Sequence, residues 1–397
     1  MMGKMASRAG MEQAQRAPTS VFSAMDMKFL GTVLALLAFG LVMVGSSSIS
    51  VAEHQHSQPF YYLVRQLVYI GVGLGLGVVV LHTPMILWQR TSTVLLTLGL
   101  LLLAAVLIPG LGREVNGSMR WLPLGIFQLQ VSEPVKLFVV LYLAGYVARR
   151  VEQGVQGRAL AEPLVILGVI SVLLLLEPDF GAAAVILATS LGILFLGGVR
   201  WRHFGLAFFV VASALAAVAF LSPYRFQRLT VFLNPWSDPF ASGFQLTQAL
   251  IAFGRGEWFG VGLGASVQKL FYLPEAHTDF LLAVLAEELG LVGVVAVIAM
   301  FGFLIWRAFL IADEAARGGK WFAAYVAYGV AMWIALQVVI NIGVNMGVLP
   351  TKGLTLPLMS YGGSSIVIMC IASALVLRVH YENRVNTTAS LERVKSW

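Results

Sequence analysis

Residues 269–290 read KLFYLPEAHTDFLLAVLAEELG, and within this stretch a long polar loop gives way to a long apolar helix. The loop begins at Ser222, and the helix begins at Phe280. Connections longer than about 15 residues are usually functional or disordered, and the aromatic side chains throughout this one argue against disorder. Because the loop ends with a carboxylate, Asp279, at the start of the helix, we interpret this end as the working end of the protein.

The composition is that of a membrane protein. Hydrophobic residues make up 59% of the 397 residues and charged residues only 11%, well outside the range of soluble domains. Many apolar runs reach the roughly 20 residues that an α-helix needs to cross a bilayer. The sequence therefore predicts an all-α polytopic membrane protein of about ten transmembrane helices, at 29–48, 60–81, 91–109, 132–148, 160–176, 180–198, 204–221, 280–306, 321–349 and 361–379.

The predicted helices divide the chain into a membrane domain, 28–380, between an N-terminal tail, 1–27, and a C-terminal tail, 381–397. A large outer loop, 222–279, joins helices 7 and 8. Ten spans put both termini on the same side, and assigning that side to the cytoplasm leaves 17 Lys and Arg residues inside and seven outside. This is the positive-inside pattern, so the net charge of +7 reports orientation and not nucleic-acid binding.

The outer loop before the fourth helix contributes further charged groups. It contains Arg120 and leads to Ser132 and Glu133, which suit the N-cap and the positive end of the helix. Lys136 lies about one turn into the helix, where a lysine is costly unless it faces a partner or a water-filled cavity. Snorkelling of the side chain to the interface is the alternative.

Carboxylates near other helix ends have competing interpretations. Asp179 lies in a three-residue connection between the fifth and sixth helices, where it can cap the sixth. Glu287 and Glu288 lie about 12 Å beyond Asp279 along the eighth helix. Intramembrane carboxylates are functional candidates, and a buried partner such as an arginine is the alternative explanation.

Small residues in the apolar helices predict close packing. The four glycines of 71–77 favour tight contact of the second helix with a neighbour, since no strand precedes them to form a dinucleotide fold. The Asn and Gly repeat of 341–347 predicts small-residue packing with amide bonds between helices. The single cysteine, Cys370, is expected to be a packing residue.

Two patterns stand out inside the large loop. Leu246, Leu250 and Phe253 fall at helical spacing and predict a short amphipathic helix at the membrane surface. The glycines of 260–264 favour either a flexible turn or a close approach of the backbone to an anionic ligand.

The outer face therefore gathers a base, further acids and several cations. Asp279 is the candidate base, with capping of the eighth helix as the alternative role. A lipid with an anionic head group fits this set of residues. Grooves between helices would hold its apolar chain, the cations would bind its phosphate, and a carboxylate would transfer a proton. The sequence contains neither a metal-ligand grouping nor a nucleotide-binding loop. The other charged groups are Glu133, Glu275, Arg120, Lys136, Arg255, Lys269 and Lys352.

At these residues the chain resembles the SEDS family (shape, elongation, division and sporulation), whose members are peptidoglycan polymerases. The resemblance covers all ten predicted helices in order. YLPEAHTDF (272–280) and PLMSYGGSS (357–365) look more like the division branch (FtsW-like) than the elongation branch. The matching segments are NGSMRW (116–121), QVSE (130–133), EPDFG (177–181), 269–290 and 341–365.

The resemblance implies lipid II, a disaccharide-pentapeptide on undecaprenyl diphosphate, as the substrate. It implies β-1,4 glycan polymerisation at the periplasmic face of the bacterial inner membrane, at the division septum, with both termini cytoplasmic. The implied partners are a class B penicillin-binding transpeptidase (FtsI-like) and other division proteins. The family's catalytic aspartate matches Asp279, and the expected substrate-binding residues are Arg120, Glu133, Lys136, Lys269, Glu275, His277, Lys352 and Ser360.

The expected chemistry needs one base and help for a leaving group. Forming a β bond from an α-linked diphosphate inverts the anomeric carbon, so one base on the acceptor hydroxyl suffices. Cationic side chains, Arg120 and Lys136 foremost, could stabilise the departing diphosphate. A divalent ion such as Mg²⁺ or Mn²⁺ could do the same, and the sequence assigns no ligands to such an ion. Two other classes stay open: a lipid II flippase and a non-catalytic division scaffold, neither of which needs a base at the outer surface.

Overall fold

The computed structural model describes residues 25–115, 118–125, 127–154, 161–221, 231–350 and 353–395. Among them, six helices are long and apolar enough to cross a membrane, and two shorter apolar helices accompany them. The prediction of an all-α polytopic membrane protein is thereby confirmed. The helices are α1 (Met27–His56), α2 (Tyr61–His82), α3 (Met85–Val106), α4 (Ser132–Glu152), α5 (Ala161–Leu176), α6 (Phe180–Leu196), α7 (Trp201–Leu221), α8 (Phe244–Gly256), α9 (Leu281–Arg317), α10 (Trp321–Asn345) and α11 (Gly363–Lys395).

The observed helix ends differ from the predicted ones where polar residues continue a helix. Helix α1 runs to His56, beyond the predicted end at 48, because serines and other polar residues are compatible with a helix once it has left the apolar region. Helix α11 continues to Lys395, so most of the predicted tail 381–397 is helical. At the other end of the chain, residues 1–24 of the predicted tail lie outside the described residues, as do 222–230 of the large loop.

The connection between α3 and α4 contains a small antiparallel sheet that was not predicted from the sequence. Its strands are β1 (Arg113–Val115), β2 (Ser118–Leu124) and β3 (Phe127–Gln130), in the order β1-β2-β3. Trp121 pairs with Gln130 and Leu122 with Leu129. The turn between β2 and β3 contains Gly125 with φ 68°, a backbone conformation that glycine adopts without strain.

Helices α2 and α11 pack closely through two of the four glycines of 71–77. A Cβ on Gly73 would lie 3.0 Å from the side chain of Cys370, and one on Gly77 would lie 3.5 Å from that of Ala374. Neither Gly71 nor Gly75 has a neighbour within 4 Å of such an atom. The close-packing prediction is confirmed for Gly73 and Gly77, and Cys370 is a buried packing residue as expected.

Helix α9 is broken at Gly290, which corrects the prediction of one uninterrupted helix over 280–306. Gly290 has φ 66° and ψ −166°, a conformation found almost only in glycine. The backbone N–H groups of Leu291 and Val292 donate to the carbonyls of Glu257 and Trp258, at 2.9 and 3.1 Å. The segment 257–262 of the large loop therefore satisfies backbone groups that the broken helix leaves without an internal partner, as lipid could not.

The same segment supplies donors on the other side of the break. The N–H groups of Val261 and Gly262 donate to the carbonyls of Glu287 and Glu288, at 2.9 and 3.0 Å. A Cβ on Gly260 would overlap the carbonyl of Glu288, so only glycine permits this approach. Gly260 therefore permits a close backbone approach to α9, whereas Gly262 and Gly264 have no neighbour among the described residues within 4 Å of an added Cβ. The approach to an anionic ligand stays a prediction.

Helix α8 confirms the predicted helix in the large loop. Leu246 is buried, and Leu246 and Leu250 both approach Gly347 at the end of α10. The apolar stripe therefore packs in part against the protein.

Candidate active site

Asp279 lies directly before the N-cap of α9. The N-cap residue is Phe280, which makes no side-chain cap hydrogen bond of its own. The structure thus places Asp279 one residue before the predicted capping position. The side chain of Asp279 is half-buried at the end of the bundle where the strands and the connections between α5 and α6 and between α10 and α11 also lie.

Two amides of α10 hold the backbone of Asp279. The Nδ2 groups of Asn341 and Asn345 each donate to the carbonyl oxygen of Asp279 at 3.0 Å. Oδ1 of Asn345 accepts from the N–H of Ala283 at 3.2 Å, so the same side chain also contacts the first turn of α9. The predicted amide bonds between helices are present, and their common target is the candidate base.

The loop before α11 packs against the same carboxylate. A Cβ on Gly353 would lie 3.2 Å from Oδ2 of Asp279, so the absence of a side chain brings this backbone close to the carboxylate. The next residue, Leu354, accepts a hydrogen bond from Nδ2 of Asn341 at 2.6 Å. The carbonyl of Thr355 then accepts from Nε2 of Gln337 at 2.9 Å. Three consecutive residues thus connect Asp279 to α10.

Lys136 belongs to a buried polar cluster that reaches this loop. Its Nζ lies 2.8 Å from Oε1 of Glu133 and 3.2 Å from Oε1 of Gln337, and it lies 5.2 Å from the ring centroid of Trp333. Lys136 is only 2% exposed, which excludes the snorkelling interpretation. Since Gln337 also bonds Thr355, the ammonium group is linked through one side chain to the loop beside Asp279.

Arg120 on β2 contacts the connection between α5 and α6. Its guanidinium donates to the carbonyls of Glu177 and Pro178, at 3.2 and 2.5 Å, and it remains half-buried. Glu177 is fully buried, and within the described part of the chain neither of its carboxylate oxygens has a hydrogen-bond partner. Burial, reinforced by the nearby carboxylate of Asp179, raises the pKa of Glu177 to about 8.

Ser132 and Asp179 form one contact across the site. The N-cap residue of α4 is Val131, so the predicted capping role of Ser132 is wrong. Oγ of Ser132 instead donates to Oδ2 of Asp179 at 3.0 Å. Asp179 also accepts from the N–H of Ala182 at 3.1 Å, which confirms it as the cap of α6.

Each of the two intramembrane glutamates of α9 has a basic partner. Oε1 of Glu287 lies 2.8 Å from Arg255, and Oε1 of Glu288 lies 2.7 Å from Nζ of Lys269. The alternative explanation, a buried partner, is therefore confirmed for Glu288 with Lys269, whereas Arg255 beside Glu287 is 43% exposed. Both pairs lie about 12 Å along α9 from Asp279, so the ammonium of Lys269 serves the large loop's attachment to α9.

His277, Tyr62 and Tyr361 form an aromatic group next to Asp279. The ring of His277 lies 4.6 Å from that of Tyr62 and 5.5 Å from that of Tyr361, between centroids. Burial lowers the pKa of His277 and raises that of Tyr361, so both groups are neutral at pH 7. Glu275 is exposed and accepts from Oγ1 of Thr278 at 2.7 Å.

Ser360 and Lys352 complete the expected residues. Ser360 is buried, its Oγ accepts from the N–H of Leu356 at 3.0 Å, and its carbonyl accepts from Gln66. It therefore closes the turn after the loop beside Asp279. Lys352 lies outside the described residues.

The sequence predicts amide bonds between helices for Asn341 and Asn345, but not that Asp279 accepts them. It assigns no role to Gln337 and Thr355, which also arrange the site. The available signal was the recurrence of amide side chains along one side of an otherwise apolar helix at 337, 341 and 345, a spacing of four. Among the residues that the structure describes, no group of three or more His, Cys, Asp or Glu side chains could hold a metal ion.

Comparison with known proteins agrees with this geometry. The sequence model of a protein family, FtsW/RodA/SpoVE, described as cell cycle protein, matches residues 27–385 of this chain. A probable peptidoglycan glycosyltransferase FtsW of Nitrosococcus halophilus is 57% identical over 359 residues, which cover 90% of this chain and 93% of that protein.

Solved structures give the same result. A chain from a study of the structural coordination of polymerization and crosslinking by a peptidoglycan synthase complex has a TM-score of 0.72 at 33% identity, covering 90% of this chain and 98% of that one. The rod shape determining protein RodA of Thermus thermophilus has a TM-score of 0.67 at 31% identity, covering 90% and 97%. The family predicted from the motifs is thus confirmed, and the chain belongs to the FtsW/RodA/SpoVE family.

Proposed function

We propose that this protein is a peptidoglycan glycosyltransferase that polymerises lipid II into β-1,4 glycan strands, with Asp279 as the general base. The observation that carries the proposal is the arrangement around Asp279. Its backbone is held by two amides of α10, while its carboxylate faces the glycine backbone of the loop before α11. The printed names of the relatives, probable peptidoglycan glycosyltransferases, support the same activity.

The reaction is an inverting displacement. The carboxylate of Asp279 takes the proton of the acceptor sugar's 4-hydroxyl, and the oxygen attacks the anomeric carbon of the donor. The bond from that carbon to the diphosphate oxygen breaks, and the diphosphate leaves with the electron pair. Diphosphate is a good leaving group, so positive charge near it can replace a general acid.

The two cations that the sequence predicts for the leaving group have different roles in our proposal. Arg120 is half-buried and held by two carbonyls, so its guanidinium is oriented and still accessible to an anion. Lys136 is buried against Glu133, and we propose that it positions Gln337 and the loop beside Asp279. The described residues offer no cage of protein ligands for a divalent ion, so we derive no step through a metal.

The membrane side, the partner and the cellular site of the reaction are part of the proposal. The excess of Lys and Arg on one side supports cytoplasmic termini, which would put Asp279 on the periplasmic face of the inner membrane. A neighbour in a peptidoglycan synthase complex supports a class B penicillin-binding transpeptidase as partner, and the FtsW names of the relatives support action at the division septum.

The test is polymerisation of lipid II by the purified full-length protein and by Asp279→Asn. Since Asn cannot take a proton at neutral pH, glycan formation should fall at least roughly 100-fold. Thermal stability should stay normal, because Asn has nearly the shape of Asp and is as good a residue at a helix start. Asp238→Asn, which changes an exposed carboxylate of the same loop, should remain active. Glycan made by Asp279→Asn at a near-normal rate would disprove this mechanism.

The flippase alternative needs a separate measurement. Lipid II translocation can be followed in vesicles containing each variant. A protein that moves lipid II across the bilayer, forms no glycan and is indifferent to Asp279→Asn would be a transporter. We expect no dependence of any lipid movement on this carboxylate.

A further inference from the structure

A polar cavity lies at the opposite end of α4 from the candidate active site. Its volume is about 250 Å³, and it is lined by Tyr146, Arg149 and Arg150 with Gln153 and Glu162. Arg149 follows Lys136 by 13 residues, which corresponds to about 20 Å along the helix. The cavity is therefore separate from the site around Asp279.

The lining of the cavity has two guanidinium groups and one carboxylate, that of Glu162, so positive charge is in excess. Within the described part of the chain, no carboxylate oxygen lies within 4.0 Å of the guanidinium group of Arg149 or Arg150. The neighbouring segment 155–160 contains no Asp or Glu in its sequence. Arg150 is partly oriented by Tyr146, whose ring centroid lies 5.4 Å from its Cζ. Two adjacent guanidinium groups of this kind favour a phosphate.

Glu162 gives the cavity an acceptor for a hydrogen-bond donor of the ligand. Its Oε1 accepts from the hydroxyl of Tyr142 at 3.2 Å, and its carboxylate lines the cavity. A ligand that fits both groups carries a phosphate and, beside it, a hydrogen-bond donor. The head groups of phosphatidylethanolamine and phosphatidylglycerol have this chemistry, through an ammonium and through hydroxyls.

An apolar surface leads away from the cavity along α5. Val165, Val169 and Val172 follow Glu162 on the same side of the helix, at a spacing of three and four residues. Their side chains are 66%, 47% and 58% exposed. Acyl chains attached to a head group in the cavity could lie along this surface, whereas a free phosphate would not use it.

We propose that this cavity is a phospholipid head-group site, with the phosphate at Arg149 and Arg150 and the head-group donor at Glu162. Basic pockets between membrane helices are a recurring way of binding lipid head groups. The proposal does not depend on the activity at Asp279, because no residue is shared between the two sites.

The experiment is native mass spectrometry of the full-length protein in detergent, titrated with phosphatidylglycerol, phosphatidylethanolamine and phosphatidylcholine of equal acyl chains. Removing both charges in Arg149→Gln/Arg150→Gln should weaken binding of the first two lipids about 25-fold. The control, Arg200→Gln/Arg202→Gln, removes the same charge from two exposed arginines before and at the start of α7 and should change affinity less than about twofold.

Two further measurements test which lipid head groups the site prefers and whether it binds a lipid phosphate or free phosphate. Glu162→Gln should abolish the preference for phosphatidylglycerol and phosphatidylethanolamine over phosphatidylcholine, which has no head-group donor. Phosphatidylcholine should still bind to this variant. Equal losses in the two arginine variants, or no loss in either, would overturn the proposal. Displacement of phosphatidylglycerol by excess inorganic phosphate would also overturn it, since the site would then bind a free anion.

Discussion

The amides of Asn341 and Asn345 allow positioning of the candidate base to be tested separately from its chemistry. Both donate to the backbone carbonyl of Asp279 at 3.0 Å. Replacing them by leucine, of similar volume, removes the donors and leaves the carboxylate unchanged. We expect the base to remain present but to lose its fixed position.

The expected size of the effect follows from the hydrogen bonds removed. One net hydrogen bond is worth about 1 kcal/mol, so Asn345→Leu alone should lower kcat about fivefold. Asn341→Leu/Asn345→Leu leaves the Asp279 carbonyl with neither amide, and a displacement of about 1 Å in a catalytic group costs about 100-fold. The stability cost of Asn345→Leu should be only about 1–2 kcal/mol, because the N–H of Ala283 also bonds the carbonyl of Phe280.

The assay is steady-state polymerisation of lipid II, with thermal unfolding measured on the same samples. The kcat should fall while KM changes little, since the amides hold the base and not the lipid. Phe301→Leu, a buried change in α9 beyond the break at Gly290, serves as the control and should lower stability by about 1 kcal/mol without lowering kcat. A double variant with normal kcat and reduced stability would refute the positioning role.

Three further predictions concern other groups of the site. Lys136→Met should destabilise the protein by about 3–5 kcal/mol, because Glu133 loses its buried partner. The double variant Lys136→Met/Glu133→Gln should regain thermal stability but not polymerisation. If it regained both, the only role of Lys136 would be to pair with Glu133. Because burial raises the pKa of Glu177 to about 8, the folded protein keeps a proton that the unfolded chain releases near pH 4.5. Stability should therefore fall as pH rises from about 4.5 to 8, by at most about 1.4 kcal/mol per unit, and Glu177→Gln should remove this slope in thermal unfolding; an unchanged slope would contradict it. Gly290→Ala should release the segment 257–262 from α9 and increase its cleavage in limited proteolysis, and an unchanged cleavage rate would show that alanine is tolerated there.

The spans could be predicted from sequence because each is a long apolar run whose backbone bonds are internal. The sheet of β1, β2 and β3 could not, because its strands are short and their pairing depends on contacts between residues distant in sequence. The break of α9 was hidden for a different reason. Gly290 lies inside a continuous apolar run, and the partners that stabilise the break come from about 30 residues earlier in the chain.

The candidate site could be predicted in its charges but not in its connections. Asp279 and Asp179 were found because a carboxylate at a helix start has few explanations. Lys136 was correctly expected to face a partner, but the partner, Glu133, lies one turn away on the same helix and had been counted as a separate charge. The amides of α10 were interpreted as packing, since an amide in an apolar helix does not reveal which backbone group it will bond.

The paired glutamates of α9 show how the large loop and the candidate base are connected. Glu287 is bound by Arg255, by Oγ of Ser266 and by the N–H groups of Val267 and Gln268. These contacts fix the loop to α9 less than three turns after Asp279, and Lys269 fixes it again at Glu288. The segment 270–279 is therefore tied at both ends to the same helix. A partner that displaced the large loop would act on a segment whose far end is Asp279, and the position of the base would follow that displacement.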